Sequence, residues 1–153
     1  MAALRAEIDS VERDMAARLQ PGWWAMIVAV SVFVLLIAEL LPWIGSSGGW
    51  QVLFGRAAGS GVLPRLFAGS SLLFGVLVSA AALGARRWAM AWVCALGCTF
   101  SVLNGVWAVW SRQTSSDYAR PGPGLVLALL TMVVLAIQWL RLAWSRPSLA
   151  PGI

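Results

Sequence analysis

The sequence predicts an all-α fold, an integral membrane four-helix bundle with an N-terminal cytoplasmic amphipathic helix. Of its 153 residues, 60% are hydrophobic and only 11% are charged, whereas a soluble domain has about 25% charged residues. Mean hydropathy is correspondingly high, at +0.81. Four apolar runs would each form a helix of about 32–35 Å, and the hydrocarbon core of a bilayer is about 30 Å thick.

The N-terminal segment, residues 1–22, is predicted to be the cytoplasmic amphipathic helix. Its apolar residues fall on one face at helical spacing: Leu4, Ile8, Val11, Met15 and Leu19. Three interpretations remain open for that face. The helix folds back on its own bundle, which we favour, or it pairs with a partner helix, or it lies on a lipid surface.

Residues 23–144 are predicted to form the transmembrane domain, and residues 145–153 a short cytoplasmic tail. The spans cover about 23–43, 62–84, 88–110 and 124–144. Indole rings prefer the membrane–water boundary, and most of the ten tryptophans fall near the ends of these runs. The predicted interface anchors are Trp23, Trp24, Trp43, Trp50, Trp88, Trp107, Trp110, Trp139 and Trp144.

The arginines predict the orientation, because cytoplasmic loops are enriched in basic residues. One side of the predicted bundle carries Arg5, Arg13, Arg18, Arg86, Arg87, Arg141 and Arg146. The other side carries Arg56, Arg65, Arg112 and Arg120. This bias predicts a multi-pass protein of the plasma membrane with both termini in the cytoplasm.

Small and polar residues on the second and third helices predict close helix packing. The residues are Ser71, Gly75 and Ser79 on one helix and Gly97, Ser101, Asn104 and Gly105 on the next. Ladders of small residues let helix backbones approach closely. We expect a tight hairpin of these two helices, with Asn104 bonding across the interface. A polar lining for a substrate path is the functional alternative.

Glu39 is the acidic residue of the first apolar run, close to its end. A charge in hydrocarbon is costly, but the cost falls near the edge of the bilayer. We expect a structural acid that is hydrated or paired with Arg65. The alternatives are an ion or proton site and a contact to a partner protein.

The composition offers few residues suited to catalysis or metal binding. The chain has no His, and its two cysteines, Cys94 and Cys98, lie in an apolar run and read as small packing residues. We therefore predict no cofactor, no metal site and no catalytic residue. The high isoelectric point is attributed to arginines that flank the membrane, so no nucleic-acid partner is predicted.

Two stretches resemble a known group of proteins. The "LLPWIG" that ends the first run and the "GWQVLFG" that follows a Gly/Ser stretch are similar to those of small four-pass membrane proteins of actinobacteria. That resemblance implies a plasma-membrane location and no catalytic residue. The small multidrug resistance exporters also have four helices and a glutamate in helix one. Their glutamate is mid-helix, whereas Glu39 stands just before "LLPW".

The sequence thus predicts a non-enzymatic membrane protein, an accessory or assembly subunit of a cell-envelope complex. Its predicted partners are the lipid bilayer and either another membrane protein or further copies of itself, through the helices and residues 1–20. The alternative is a small proton-coupled transporter that uses Glu39.

Overall fold

The computed structural model of the protein describes residues 22–85, 88–114 and 120–144, apart from the side chain of Trp88. The predicted amphipathic helix, up to residue 21, and the predicted tail 145–153 lie outside the described residues. Within them, four long helices follow one another along the chain. A small hairpin and a short helix separate the first from the second.

The first helix, α1 (Trp23–Leu40), ends where proline follows. Leu41 has extended backbone angles, φ −71° and ψ 156°, because the ring of Pro42 disfavours helical angles in the residue before it. The predicted span 23–43 is therefore longer than the helix. Pro42–Ile44 instead forms a strand, β1, that pairs antiparallel with β2 (Ser47–Gly48). Gly45 makes the turn with φ 58°.

The connection to the second long helix is ordered by several local contacts. It contains the short helix α2 (Gly49–Leu53), and the Gly48 N–H donates to Gln51 Oε1 at 3.2 Å. Val52 is fully buried in this helix, while Phe54 after it is 68% exposed. The segment is a structured cap at one end of the long helices.

The second long helix runs from Val62 to Ala85 and changes geometry in its middle. It consists of α3 (Val62–Ser70), a π-helical segment (Ser71–Val78) and α4 (Ser79–Ala85). The third long helix is α5 (Trp88–Thr114) and the fourth is α6 (Pro123–Trp144). The predicted third span, 88–110, stops about one turn short of the end of α5.

The core lies where α6 packs against α1, α5 and the second long helix. Large side chains with no more than 1% exposure fill it: Leu35, Phe67, Leu125, Met132, Leu135 and Trp139. At one end, Gly122 N–H donates to Trp43 O at 2.8 Å, and Gly124 faces the Leu41 and Ala38 carbonyls so closely that a Cβ would be 2.8–2.9 Å from them. Glycine at these positions lets the start of α6 pack against the end of α1.

The outer faces of the long helices are apolar. Trp23, Phe33, Leu40, Leu77, Leu96 and Trp110 are each between 62% and 74% exposed. By length and composition alone, the helices Trp23–Leu40, Val62–Ala85, Ala89–Thr114 and Pro123–Trp144 are each long and apolar enough to cross a membrane. A surface of this kind marks a contact face rather than a face left in water.

Candidate functional site

Glu39 lies in the last turn of α1 and points into the protein, where it is only 4% exposed. Ser71 Oγ is a donor at 3.0 Å from Glu39 Oε1. Ser71 Oγ is also 3.0 Å from a second acceptor, Ala68 O. One hydroxyl proton cannot serve both acceptors at once. A protonated carboxyl would resolve this, because Glu39 would donate to Ser71 and Ser71 would donate to Ala68.

The surroundings of Glu39 favour that protonated form. Its Oε2 is buried and has no hydrogen-bond partner in the described structure. Gly49 lies against this oxygen and against the Trp43 ring, so a side chain at position 49 would collide with both. Burial raises the pKa of Glu39 to about 7, opposed in part by the Ser71 hydrogen bond. The carboxyl can therefore exchange a proton near neutral pH.

Arg65, the expected counter-ion of Glu39, lies elsewhere. Its side chain is exposed, and its guanidinium lies beside Gly55, where a Cβ would be 3.2 Å from Arg65 Cζ. The described contact of the Glu39 carboxyl is with Ser71 instead. Because Glu39 turns inward and Arg65 turns outward, the structure does not join them in an ion pair.

The small residues of the second long helix face α1 and α6, and Ser79 also contacts α5. A Cβ on Gly75 would lie 2.5 Å from Leu35 Cδ2 and 2.7 Å from Met132 Sδ. Ser71 contacts Glu39 on α1, and Trp139 of α6 donates to Ser79 Oγ. Ser79 also interacts with the thiols of Cys94 and Cys98 on α5, so this ladder contributes to the contacts of the second long helix with α1, α5 and α6.

The small residues of α5 do face the second long helix. Gly97 lies against the Phe74 ring, and a Cβ on Gly105 would be 2.8 Å from Phe67 Cε2 and 2.7 Å from Leu129 Cδ1 on α6. Ser101 Oγ is buried without a partner in the described residues. Asn104 Nδ2 donates to Phe100 O at 3.1 Å within its own helix. The structure thus shows an Asn104 hydrogen bond within α5 in place of the expected one across the helix interface.

Two predicted interface anchors, Trp43 and Trp139, are core residues. Trp43 is fully buried, stacks on Phe67 at 5.3 Å between ring centroids, and donates to Ala38 O at 2.8 Å. Trp139 is 1% exposed and donates to Ser79 Oγ at 3.1 Å. The remaining described tryptophans in that set are exposed or half-buried: Trp23, Trp24, Trp50, Trp107, Trp110 and Trp144.

The two cysteines sit beside the π-helical segment. Both are free and buried, and Cys98 Sγ is 3.9 Å from Phe74 O. Burial raises the pKa of Cys94 to about 11 and that of Cys98 to about 12. Thiols held in this protonated form are poor nucleophiles. No group of three or more His, Cys, Asp or Glu capable of holding a metal ion occurs in the described ranges.

Sequence reasoning missed a buried arginine. Arg112 is only 4% exposed, and its Nη2 donates to Gly59 O at 2.6 Å and to Ser60 O at 2.9 Å. It therefore fixes the turn before the second long helix to the end of α5. The glycine-rich composition of that turn was the available signal, since a tight turn leaves backbone carbonyls that need donors.

Comparison with known proteins identifies the family. Residues 5–150 match the family model described as the MiaB C-terminal domain. The chain belongs to this family. A tRNA-2-methylthio-N(6)-dimethylallyladenosine synthase of Mycobacterium avium (strain 104) is 42% identical over 151 residues, which cover 95% of this chain and 21% of that protein. The chain thus spans about a fifth of the relative's length. No solved structure matches it.

Family membership corrects the predicted resemblance and fold class. The chain matches the MiaB C-terminal domain from residue 5 to 150, so its assignment to the small four-pass actinobacterial membrane proteins is wrong. The predicted class of integral membrane four-helix bundle is wrong with it. Length and apolar composition supported that class, and they describe the helices without showing what surrounds them.

The functional predictions are contradicted by the same findings. The matching relative is a synthase, so a non-enzymatic accessory subunit and a proton-coupled transporter are both wrong. The name of that relative refers to tRNA. This finding contradicts the prediction that the partners are lipid and protein and include no nucleic acid. Membership in the MiaB C-terminal domain family also overturns the location as a multi-pass protein of the plasma membrane. The division at residues 22 and 144 remains a prediction.

Proposed function

We propose that this chain is the C-terminal domain of an enzyme that forms 2-methylthio-N(6)-dimethylallyladenosine in tRNA. One observation carries the proposal: 42% identity to a synthase of that name over 95% of the chain. The match to the MiaB C-terminal domain over residues 5–150 supports the same assignment. The proposed substrate is therefore tRNA.

In this proposal the domain supports the reaction rather than performing the chemical step. The match covers only 21% of the relative, and the rest of such an enzyme would supply the reacting groups. This chain contains no His and two cysteines, both of which are buried. The two thiols sit in the packed interior, where a substrate would not reach them.

The charge of the chain suits a tRNA substrate. It has 11 basic and 6 acidic residues, for a formal net charge of +5. Every basic residue is an arginine, whose planar guanidinium binds phosphate oxygens in pairs. Arg56, Arg65, Arg120 and Arg141 are exposed, so they are available to contact the RNA backbone.

The experiment removes residues 1–153 from the protein in its native host and measures the nucleosides of total tRNA by mass spectrometry. We expect the 2-methylthio nucleoside to fall at least about tenfold, with the nucleoside that lacks the methylthio group accumulating. Reintroduction of the chain should restore the level. An unchanged amount of 2-methylthio nucleoside in the deletion strain would refute the proposal.

A further inference from the structure

A cavity of about 340 Å³ opens at the end of the bundle where α1 begins and α6 ends. It lies at the opposite end of α1 from Glu39. Six residues line it: Trp23, Trp24, Ile27, Gln138, Arg141 and Leu142. Its volume is near the lower limit of the roughly 300–1,000 Å³ usual for small-molecule sites. The cavity would hold one small planar group with its substituents.

One wall of this cavity is fixed by packing. Trp24 meets Trp139 edge to face, with ring centroids 6.0 Å apart and an interplanar angle of 65°. Trp139 is itself held by its hydrogen bond to Ser79. The Trp24 ring also lies over Gly22, where a Cβ would be 2.7 Å from Trp24 Cδ1. Trp23 is 73% exposed and offers a second indole at the mouth.

The indoles lie on the α1 side of the cavity, and two polar residues lie on its α6 side. Gln138 and Arg141 are three residues apart on α6, so they lie on the same face of that helix. In the described structure, neither side chain makes a hydrogen bond or an ion pair within the protein. The Arg141 guanidinium is exposed. The Gln138 amide and the Arg141 guanidinium are therefore available to a ligand in the same cavity as two indole rings.

We propose that this cavity binds a single unpaired nucleotide of RNA, an inference that rests on the proposed function. Proteins read unpaired nucleotides by stacking the base on aromatic rings and bonding its edges with polar side chains. Here an indole would stack on the base, the Gln138 amide would bond its edge, and Arg141 would bind the phosphate. The substrate class for this pocket is the looped, single-stranded part of a tRNA.

The test measures binding of a short single-stranded RNA and of adenosine 5′-monophosphate to the full-length protein by fluorescence anisotropy and tryptophan quenching. Trp23→Ala removes an exposed indole of the cavity, and Trp144→Ala removes an indole outside it that is 72% exposed. Arg141→Gln is matched with Arg120→Gln, another exposed arginine. These four positions are open enough that the variants should fold.

We expect Trp23→Ala to weaken RNA binding at least about fivefold, since one stacked base contributes this much or more. Arg141→Gln should weaken RNA binding more than Arg120→Gln does. If the two variants of each pair lose equal affinity for RNA, the proposed nucleotide site is refuted and RNA binding reflects general attraction by charge. Binding to vesicles of anionic phospholipid that depends on Trp23 and Arg141, with RNA binding unchanged, would also overturn that site.

The tRNA nucleoside measurement separates this inference from the proposed function. If deletion of the chain abolishes the 2-methylthio nucleoside while the pocket variants bind RNA like the wild type, the pocket is refuted and the enzyme assignment stands. If deletion leaves the nucleoside unchanged, the enzyme assignment fails whether or not the pocket binds RNA.

Discussion

Gly97 is the position where a single added methyl group should do most harm to the packing of α5. A Cβ built on Gly97 would be 2.6 Å from Phe74 Cε1 and closer still to Cδ1 and Cγ. Carbon atoms pack best at about 3.5–4.0 Å, so the Phe74 ring would have to move by about 1 Å or more. Phe74 packs against the core, which leaves the ring little room.

The expected change in the free energy of unfolding follows from two opposing contributions. Overpacking of this kind costs about 1–3 kcal/mol, while replacing glycine by alanine within a helix gains up to about 1 kcal/mol. Gly84→Ala is the matched control, because a Cβ there would meet nothing within 4 Å. The helix gain is similar in both variants, so Gly97→Ala should be less stable than Gly84→Ala by about 1–3 kcal/mol.

Urea denaturation of the purified protein, followed by circular dichroism, measures this difference. A thermal scan should show a gap of about 2–12 °C between the two variants, at roughly 2–4 °C per kcal/mol for a chain of this size. Equal stability of Gly97→Ala and Gly84→Ala would refute the close approach of α5 to Phe74. So would a Gly97→Ala protein more stable than the wild type.

Three further outcomes are expected. Burial raises the pKa of Glu39 from 4.5 to about 7. Between these two pH values the folded protein keeps a proton on Glu39 that the unfolded chain loses. The free energy of unfolding should therefore fall by up to about 3 kcal/mol as the pH rises through this range, and urea denaturation of Glu39→Gln should show this dependence removed. Arg112→Gln should lower stability by about 1–3 kcal/mol, because the buried Ser60 carbonyl bond and the part-buried Gly59 carbonyl bond lose a charged donor, and hydrogen exchange should become faster at Gly59 and its neighbours. In fractionated cells, the chain should accompany the tRNA-modifying activity; recovery in washed membranes without that activity would contradict the enzyme assignment.

Local sequence signals locate the long helices better than they locate side-chain contacts. Pro42 stops α1 and Pro123 begins α6, and both effects depend on adjacent residues only. The inward turn of Glu39 to Ser71 depends on how two helices rotate against each other, 32 positions apart in the chain. Hydropathy carries no information on that rotation, which is why sequence reasoning did not find Ser71 as the contact of Glu39.

The tryptophans show the same limit. Trp43 and Trp110 look alike in the sequence, since both stand near the end of an apolar run. Trp43 is fully buried and stacks on Phe67, whereas Trp110 is 62% exposed. Apolar composition also led to the wrong family, since many unrelated proteins share it. Only comparison over residues 5–150 identified the MiaB C-terminal domain.

The π-helical segment Ser71–Val78 bears on how the length of this domain can change. Each i→i+5 hydrogen bond encloses one more residue than an α-helical bond does. Removing one residue here would let the turn tighten to α-helix while Phe67 before it and Trp139 opposite it kept their neighbours. The same deletion within α5 would rotate every later residue of that helix away from its contacts. Alignments of relatives should therefore place single-residue gaps in Ser71–Val78 and keep α5 unbroken.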